Sequence, residues 1–233
     1  MQLDELHHPV YVPELLANAL DRDCDRPLLQ ILGGPTLTVA DVCAATSRFV
    51  QALNSLGVER STRVGLLSSN LPEVLYVSNA VQLIGAIYVP MHPLAGLPDH
   101  LHAVTDAEVD ILIFEAGRFD ARATELAREA SAMKLVALGA SPLGDDLCTL
   151  AGEFDPAPLT PVRVGPSDIL RLGYSGGTTG KPKSLASCQR TGLATVTIMM
   201  AEWEWPSPPR FRPAPPLSGL SSRRVMSTGA TAS

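Results

Sequence analysis

The residues best suited to chemistry lie together in residues 175–183, with the sequence SGGTTGKPK. The stretch consists of Ser175, Gly176, Gly177, Thr178, Thr179, Gly180, Lys181, Pro182 and Lys183. Glycines let backbone N–H groups approach phosphate oxygens, hydroxyl groups donate hydrogen bonds to them, and lysines neutralise their charge. The composition therefore favours a loop that holds a polyphosphate, and ATP is the first ligand to consider.

Two familiar phosphate motifs do not fit this loop. A Walker A loop begins with a glycine and follows its Gly-Lys pair with Ser or Thr, whereas Ser175 and Pro182 occupy those positions here. The dinucleotide pattern GxGxxG does not fit the loop either. On residue types alone, a flexible surface turn remains the alternative to a nucleotide site.

Short apolar runs alternate with helical patterns along the chain that must position this loop. The predicted strands are residues 63–67, 87–89, 111–114, 134–138 and 168–174. The predicted helices are residues 38–56, a segment that starts near 72, residues 119–131 and residues 186–203, and residues 139–166 read as a long surface connection. This alternation is typical of an α/β domain with a largely parallel sheet and flanking helices.

The first two predicted helices carry recognisable end signals. Thr38 can cap the first helix, with Asp41 in the position of a capping box, and Gly57 supplies a stop. Pro72 falls in the first turn of the second helix, where its missing N–H costs nothing. These signals predict where both helices begin and where the first one ends.

Composition excludes several classes of protein. The 233 residues are 45% hydrophobic and 18% charged, with a mean hydropathy of +0.15, which indicates a folded domain. A net charge of −6 argues against a nucleic-acid partner. Polar residues interrupt the most apolar stretch, residues 74–91, so we expect a buried helix and strand there and no transmembrane segment. An acidic N-terminus and four scattered cysteines favour a cytoplasmic protein.

The last segment, residues 206–233, differs from everything before it. Of its 28 residues, 21 are Pro, Ser, Arg, Ala or Gly, and it has four arginines and no acidic residue. Too few large apolar side chains are present to offset the entropy lost on ordering it. We therefore divide the chain into a folded part, residues 1–205, and a tail that we expect to be disordered.

The complete string LGYSGGTTGKPKS, residues 172–184, resembles the phosphate-loop signature of the adenylate-forming, or AMP-binding, superfamily. The resemblance extends upstream through residues 37–73 and 83–114 and covers roughly residues 38–205. It is closer to fatty-acyl-CoA ligases than to peptide-synthetase domains, which usually have an acidic residue at His92. Two positions depart from the family pattern: Ser184 replaces a usual Gly, and Gln189 stands where a His is common.

This resemblance implies a partial N-terminal domain of the acyl-adenylate-forming fold and a two-step reaction. A small-molecule carboxylic acid, here a fatty acid, would attack ATP in the presence of Mg²⁺ to give an acyl-adenylate, and coenzyme A would then displace AMP. The resemblance assigns nucleotide binding to Ser175, Gly176, Gly177, Thr178, Thr179, Gly180, Lys181 and Lys183, and Mg²⁺ binding to Thr179. It assigns no catalytic residue within this chain.

The other candidate residues, three histidines and two tryptophans, are better explained by packing or solvation than by a role in chemistry. His92, His100 and His102 lack a recognised metal-ligand spacing, so we expect them to be structural or solvated. Trp203 and Trp205 stand at strand spacing, as residues that line an acyl tunnel would, but aromatic residues beside a Pro-rich turn more often pack.

The family's later motifs, a YGxTE-like segment and a ribose-binding TGD-like segment, cannot be found in this sequence. The tail composition is what a shifted reading frame yields from GC-rich codons, which favours a truncated or frameshifted gene. Two classes of function therefore stay open. One is an ATP-dependent acid–CoA ligase, and the other is a non-catalytic remnant of such a ligase.

Overall fold

The computed structural model of the chain describes residues 10–175 and 183–202, in which helices and strands alternate. The helices are α1 (Val12–Leu20), α2 (Val39–Ser55), α3 (Pro72–Ile84), α4 (Leu97–Asp106), α5 (Asp120–Glu129), α6 (Leu147–Gly152) and α7 (Gln189–Glu202). The strands are β1 (Pro27–Gln30), β2 (Thr36–Thr38), β3 (Arg63–Leu67), β4 (Ile87–Met91), β5 (Ile111–Glu115), β6 (Lys134–Leu138), β7 (Asp145–Asp146), β8 (Ile169–Tyr174) and β9 (Ser184–Cys188). In this part of the chain no helix has both the length and the apolar character to cross a bilayer.

Seven strands form one sheet in the order β7-β6-β5-β3-β4-β8-β9. Every neighbouring pair from β7 to β8 is parallel, and only β9 runs antiparallel to its neighbour. Strands β1 and β2 form a separate antiparallel pair. The predicted α/β fold with a largely parallel sheet is confirmed.

Both faces of the central strands are buried, because alternate side chains point to opposite sides of the sheet. In β5, Ile111 and Ile113 belong to one apolar cluster, and Leu112 and Phe114 belong to the other. The first cluster includes residues of α2, α3 and α6, and the second includes residues of α4 and α5. The sheet is therefore a central layer between two layers of helices.

The predicted helix signals are confirmed where the structure describes them. The Asp41 amide donates to Thr38 Oγ1 at 3.2 Å, and the Thr38 amide donates to Asp41 Oδ2 at 2.8 Å, which completes a capping box on α2. Gly57 follows the end of α2 with a φ of +90°, a conformation that glycine adopts without strain. Pro72 is the first residue of α3.

Two predictions made from the sequence need correction. The helix predicted for residues 186–203 begins only at Gln189, because residues 184–188 pair with β8 as strand β9. The predicted surface connection, residues 139–166, contains β7 and α6, and Leu147 and Ala151 of α6 are buried in the core. In both places long-range pairing or packing outweighs a weak local pattern. The tail, residues 206–233, lies outside the described residues, so its expected disorder stays a prediction.

Helix α7 exposes an unusual amount of apolar surface. Ile198 is 61% exposed and Met200 is 71% exposed, and Val196 and Met199 are exposed beside them. Helices that are apolar on several sides are normally covered by other protein. We therefore predict that the chain self-associates. The double variant Ile198→Lys, Met200→Lys should need a higher protein concentration than the wild type before it aggregates. Light scattering against concentration measures this.

The control for this prediction is Leu32→Lys in the turn between β1 and β2. Leu32 is 91% exposed, so the variant adds a positive charge without changing α7. It should leave the aggregation threshold close to that of the wild type. Equal thresholds for the wild type and the α7 variant would contradict the prediction.

Candidate functional site

Strands β8 and β9 form a hairpin, and the candidate phosphate loop is the connection between them. Tyr174 pairs with Ser184 as the last pair of the ladder. Beyond it, the Ser175 amide donates to the Lys183 carbonyl oxygen at 3.0 Å, and the Lys183 amide donates to Ser175 Oγ at 3.3 Å. The first and last residues of the loop are therefore held side by side, with Ser175 half-buried and Lys183 exposed.

The predicted loop residues between them, residues 176–182, lie outside the described residues. The roles assigned to Gly176, Gly177, Thr178, Gly180 and Lys181 therefore stay predictions, as does Mg²⁺ binding by Thr179. The composition of the loop, which is rich in glycine and hydroxyl groups, and the exposed Lys183 at its end are of the kind that suits a polyphosphate. Mg²⁺ in nucleotide sites is bound largely by substrate phosphates and water, so it does not need a cluster of protein ligands. Over the described ranges, no group of three or more His, Cys, Asp or Glu residues is placed to bind a metal.

The described ends of the candidate loop, Ser175 and Lys183, follow the carboxyl end of β8. Strand β8 runs parallel to β4, so the end of β8 that carries Ser175 lies at the same edge as the ends of β3, β4 and β5. In open α/β sheets this edge is where ligands bind. The position of the hairpin is thus consistent with a ligand site.

The phenol of Tyr174 links the root of the loop to helix α4. Its hydroxyl donates to Asp106 Oδ2 at 2.8 Å, and its ring meets the His102 ring edge-on, with 5.8 Å between ring centroids. Burial raises the pKa of Tyr174, and the hydrogen bond to the charged Asp106 raises it further. Sequence reasoning missed this contact, although Tyr174 directly precedes the loop.

A second polar contact at the carboxyl edge joins the ends of β3 and β5. The connections after these two strands lead to opposite sides of the sheet, to β4 and to β6. Glu115 Oε2 accepts a hydrogen bond from the Ser69 amide at 2.7 Å and one from Ser68 Oγ at 3.3 Å. Burial raises the pKa of Glu115, but these hydrogen bonds and nearby Arg118 outweigh it and lower the pKa below its ordinary value. Sequence reasoning missed this carboxylate because Glu115 ends an otherwise apolar strand.

The three candidate histidines have separate surroundings. His100 is only 2% exposed, and its Nε2 lies 2.8 Å from the His92 carbonyl oxygen while its Nδ1 lies 2.7 Å from Arg122 Nη1. Because the guanidinium only donates, Nδ1 is an acceptor and the neutral ring carries its proton on Nε2. Burial lowers the pKa of His100, and the Arg122 charge lowers it further. The structural role predicted for His100 is confirmed. The ring of His102 contacts a different partner, Tyr174.

The two departures from the family pattern lie at the two ends of β9: Ser184 is its first residue, and Gln189 directly follows its last. Ser184 is exposed and begins the strand. Gln189 is only 2% exposed, and its Oε1 accepts a hydrogen bond from the Val12 amide at 3.3 Å. Gln189 therefore ties the start of α7 to the start of α1, which is a structural role. Trp203 and Trp205 lie outside the described residues.

Comparison with known proteins agrees with the loop signature. The model of the AMP-binding enzyme family matches residues 16–214, and the chain belongs to this family. The medium/long-chain-fatty-acid–CoA ligase FadD8 of Mycobacterium tuberculosis is 35% identical over 221 residues, which are 91% of this chain and 38% of that protein. The 4-coumarate–CoA ligase CCL1 of Humulus lupulus is 26% identical over 88% of this chain and 38% of that protein.

Solved structures share the fold. The anthranilate CoA ligase AuaEII, crystallised in complex with anthranoyl-AMP, superposes with a TM-score of 0.71 at 22% identity. The superposition covers 82% of this chain and 37% of that one. This chain therefore has the architecture of one part of an acyl-CoA ligase and spans 38% of the length of the two curated relatives.

The environment of His100 predicts a pH-dependent contribution to stability. Because folding lowers the pKa of His100, the unfolded chain binds the proton more readily, and stability falls as the pH drops below the ordinary histidine value of about 6.5. The variant His100→Gln should lose stability less steeply than the wild type between about pH 7 and pH 5. Urea unfolding at a series of pH values measures the difference.

His92→Gln is the control, since it leaves in place the backbone carbonyl that His100 contacts. It should follow the wild-type pH dependence closely, because the charge of His92 lowers the pKa of His100 less than burial and the charge of Arg122 do. A His100→Gln curve parallel to that of the wild type over the whole range would contradict the assignment.

Proposed function

We propose that this chain is the triphosphate-binding N-terminal part of an ATP-dependent acid–CoA ligase. The observation that carries the proposal is the β8–β9 hairpin, which holds Ser175 and Lys183 side by side at the ends of a complete family signature. Membership of the AMP-binding enzyme family supports it.

The proposed reaction requires charge stabilisation more than covalent help from the protein. A carboxylate oxygen of the acid attacks the α-phosphorus of ATP and releases pyrophosphate, and the thiol of coenzyme A then attacks the acyl carbon and releases AMP. The Ser175 hydroxyl and the Lys183 ammonium would hold the β- and γ-phosphates, together with the predicted donors of residues 176–182. Mg²⁺ would neutralise phosphate charge when bound. Preorganised donors of this kind stabilise the charge that develops as pyrophosphate leaves.

We propose a fatty acid as the substrate class. The support is that FadD8, named as a medium/long-chain-fatty-acid–CoA ligase, is 35% identical over 91% of this chain. Coenzyme A would be the second substrate. The net charge of the chain, −6, gives no support for a nucleic-acid partner.

We predict that the purified chain binds MgATP weakly and through Lys183. Two charge-assisted contacts of roughly 1.5–3 kcal/mol each give a dissociation constant on the order of 1 mM. Loss of one such contact in Lys183→Ala should weaken binding by about 10- to 100-fold, which abolishes detectable binding. Phosphorus NMR of ATP titrated with the protein in the presence of Mg²⁺ measures the dissociation constants of the wild type and the variant.

The matched control for this variant is Lys134→Ala. Lys134 lies on β6 in an exposed ion pair with Asp145, with 3.6 Å between Nζ and Oδ2. Its removal should leave ATP binding unchanged. Equal binding by Lys183→Ala and the wild type would contradict the phosphate-loop assignment, and a micromolar constant for the wild type would contradict the expected weakness.

We also predict that the 233-residue chain does not make acyl-CoA from fatty or aromatic acids. The YGxTE-like and TGD-like segments of the family are not found in residues 1–233, and loss of the positioning that they would supply forfeits much of the roughly 7–11 kcal/mol that proximity provides. The measurement is acid-dependent pyrophosphate release with ATP, Mg²⁺ and coenzyme A. A full-length ligase such as FadD8 serves as the positive control.

This assay separates the two classes of function that the sequence leaves open. Turnover comparable to the full-length ligase would show that the chain is a minimal ligase and contradict the prediction. ATP binding without turnover would fit a non-catalytic remnant that keeps its phosphate loop. The absence of both binding and turnover would overturn the proposed function itself.

A further inference from the structure

The two ends of strand β8 are attached to the rest of the domain in different ways. At its beginning, Asp168 Oδ2 accepts from Arg60 Nη2 at 2.6 Å, and Arg171 pairs with Tyr88 of β4. The ladder between β4 and β8 stops at that pair. Further along β4 stands Pro90, which has no N–H to donate.

The end of β8 that carries the loop therefore lacks a ladder to the parallel sheet. Residues 172–174 pair only with β9, which is itself the outermost strand. Leu172 and Tyr174 pack partly against the apolar cluster below α4 and α5. Among residues 172–174 only Tyr174 has a polar side chain, and its hydroxyl donates to Asp106 Oδ2 at 2.8 Å. Asp106 is the last residue of α4, so this bond ties the hairpin to a helix of the domain.

We propose that Tyr174 and Asp106 are positioning residues for the phosphate loop. Their hydrogen bond holds the carboxyl end of β8 against α4 and thereby fixes Ser175 and Lys183 relative to the sheet edge. Neither residue needs to touch the nucleotide. The inference rests on the proposed function, because it assigns these residues to the same phosphate site.

Tyr174→Phe isolates the hydrogen bond, because it keeps the ring that packs on the apolar cluster and contacts His102. Asp106→Asn keeps an acceptor oxygen, whereas Asp106→Ala removes it. Tyr88→Phe is the matched control, since it removes a phenol hydroxyl from the neighbouring strand. If the bond positions the loop, Tyr174→Phe and Asp106→Ala should behave alike, and Asp106→Asn should resemble the wild type.

The first measurement is amide hydrogen exchange in the full chain without ligand. Tyr174→Phe and Asp106→Ala should exchange the Ser175 and Lys183 amides about 3- to 10-fold faster than the wild type, while amides of β3 keep their rates. Asp106→Asn and Tyr88→Phe should leave all of these rates within about twofold. Unchanged rates at Ser175 and Lys183 in Tyr174→Phe would overturn the inference.

The second measurement is phosphorus NMR of inorganic tripolyphosphate with Mg²⁺, which carries phosphate groups without adenine or ribose. Tyr174→Phe should weaken its binding by about 3- to 10-fold. Faster exchange with unchanged binding would overturn the positioning role, since the bond would then only stabilise the hairpin. If the wild type does not bind tripolyphosphate, the proposed function fails and this inference fails with it, whatever the exchange rates show.

Discussion

Burial of both faces of the parallel strands is the constraint on which the rest of the molecule depends. Strands β3, β5 and β6 place apolar side chains on both sides, so helices must cover both sides. The faces of these three strands are therefore occupied largely by apolar side chains. Polar groups that could meet a ligand are consequently favoured at the ends of these strands, where the chain leaves the core.

At the carboxyl edge, two sets of polar groups satisfy one another. Glu115 accepts from the Ser69 amide, and the guanidinium of Arg122 donates to His100. A buried charge or imidazole that is already paired has little left to offer a ligand. Lys183 is different, because its side chain is exposed at the mouth of a hairpin. The contrast favours the proposal that the ligand binds at the end of β8, although an α/β sheet commonly binds its ligand in a crevice such as the one between β3 and β5.

The fold was predictable from the sequence where local and long-range preferences agree. The apolar runs 63–67, 111–114 and 134–138 are strands, and the capping box at Thr38 begins a helix. Strand β9 was missed because Ser184, Ala186 and Ser187 have weak strand propensity, and only pairing with β8 makes them extended. The loop residues of the site follow from a motif that is contiguous in sequence. The Tyr174–Asp106 contact could not be found in that way, since 68 positions separate its members and only the tertiary fold brings them together.

The position of the hairpin at the end of the parallel part of the sheet explains how one short loop could bind a ligand. Parallel pairing ends at β8, and β9 turns back along it as the edge strand. A loop that connects two strands at the edge of a sheet can vary in sequence to suit a ligand without disturbing the core. Such a loop is useful for binding only if its ends are fixed, since phosphate donors must be held in place before the ligand arrives. The backbone bonds between Ser175 and Lys183 fix the ends relative to each other, and contacts from the root of the hairpin to α4 fix them relative to the domain.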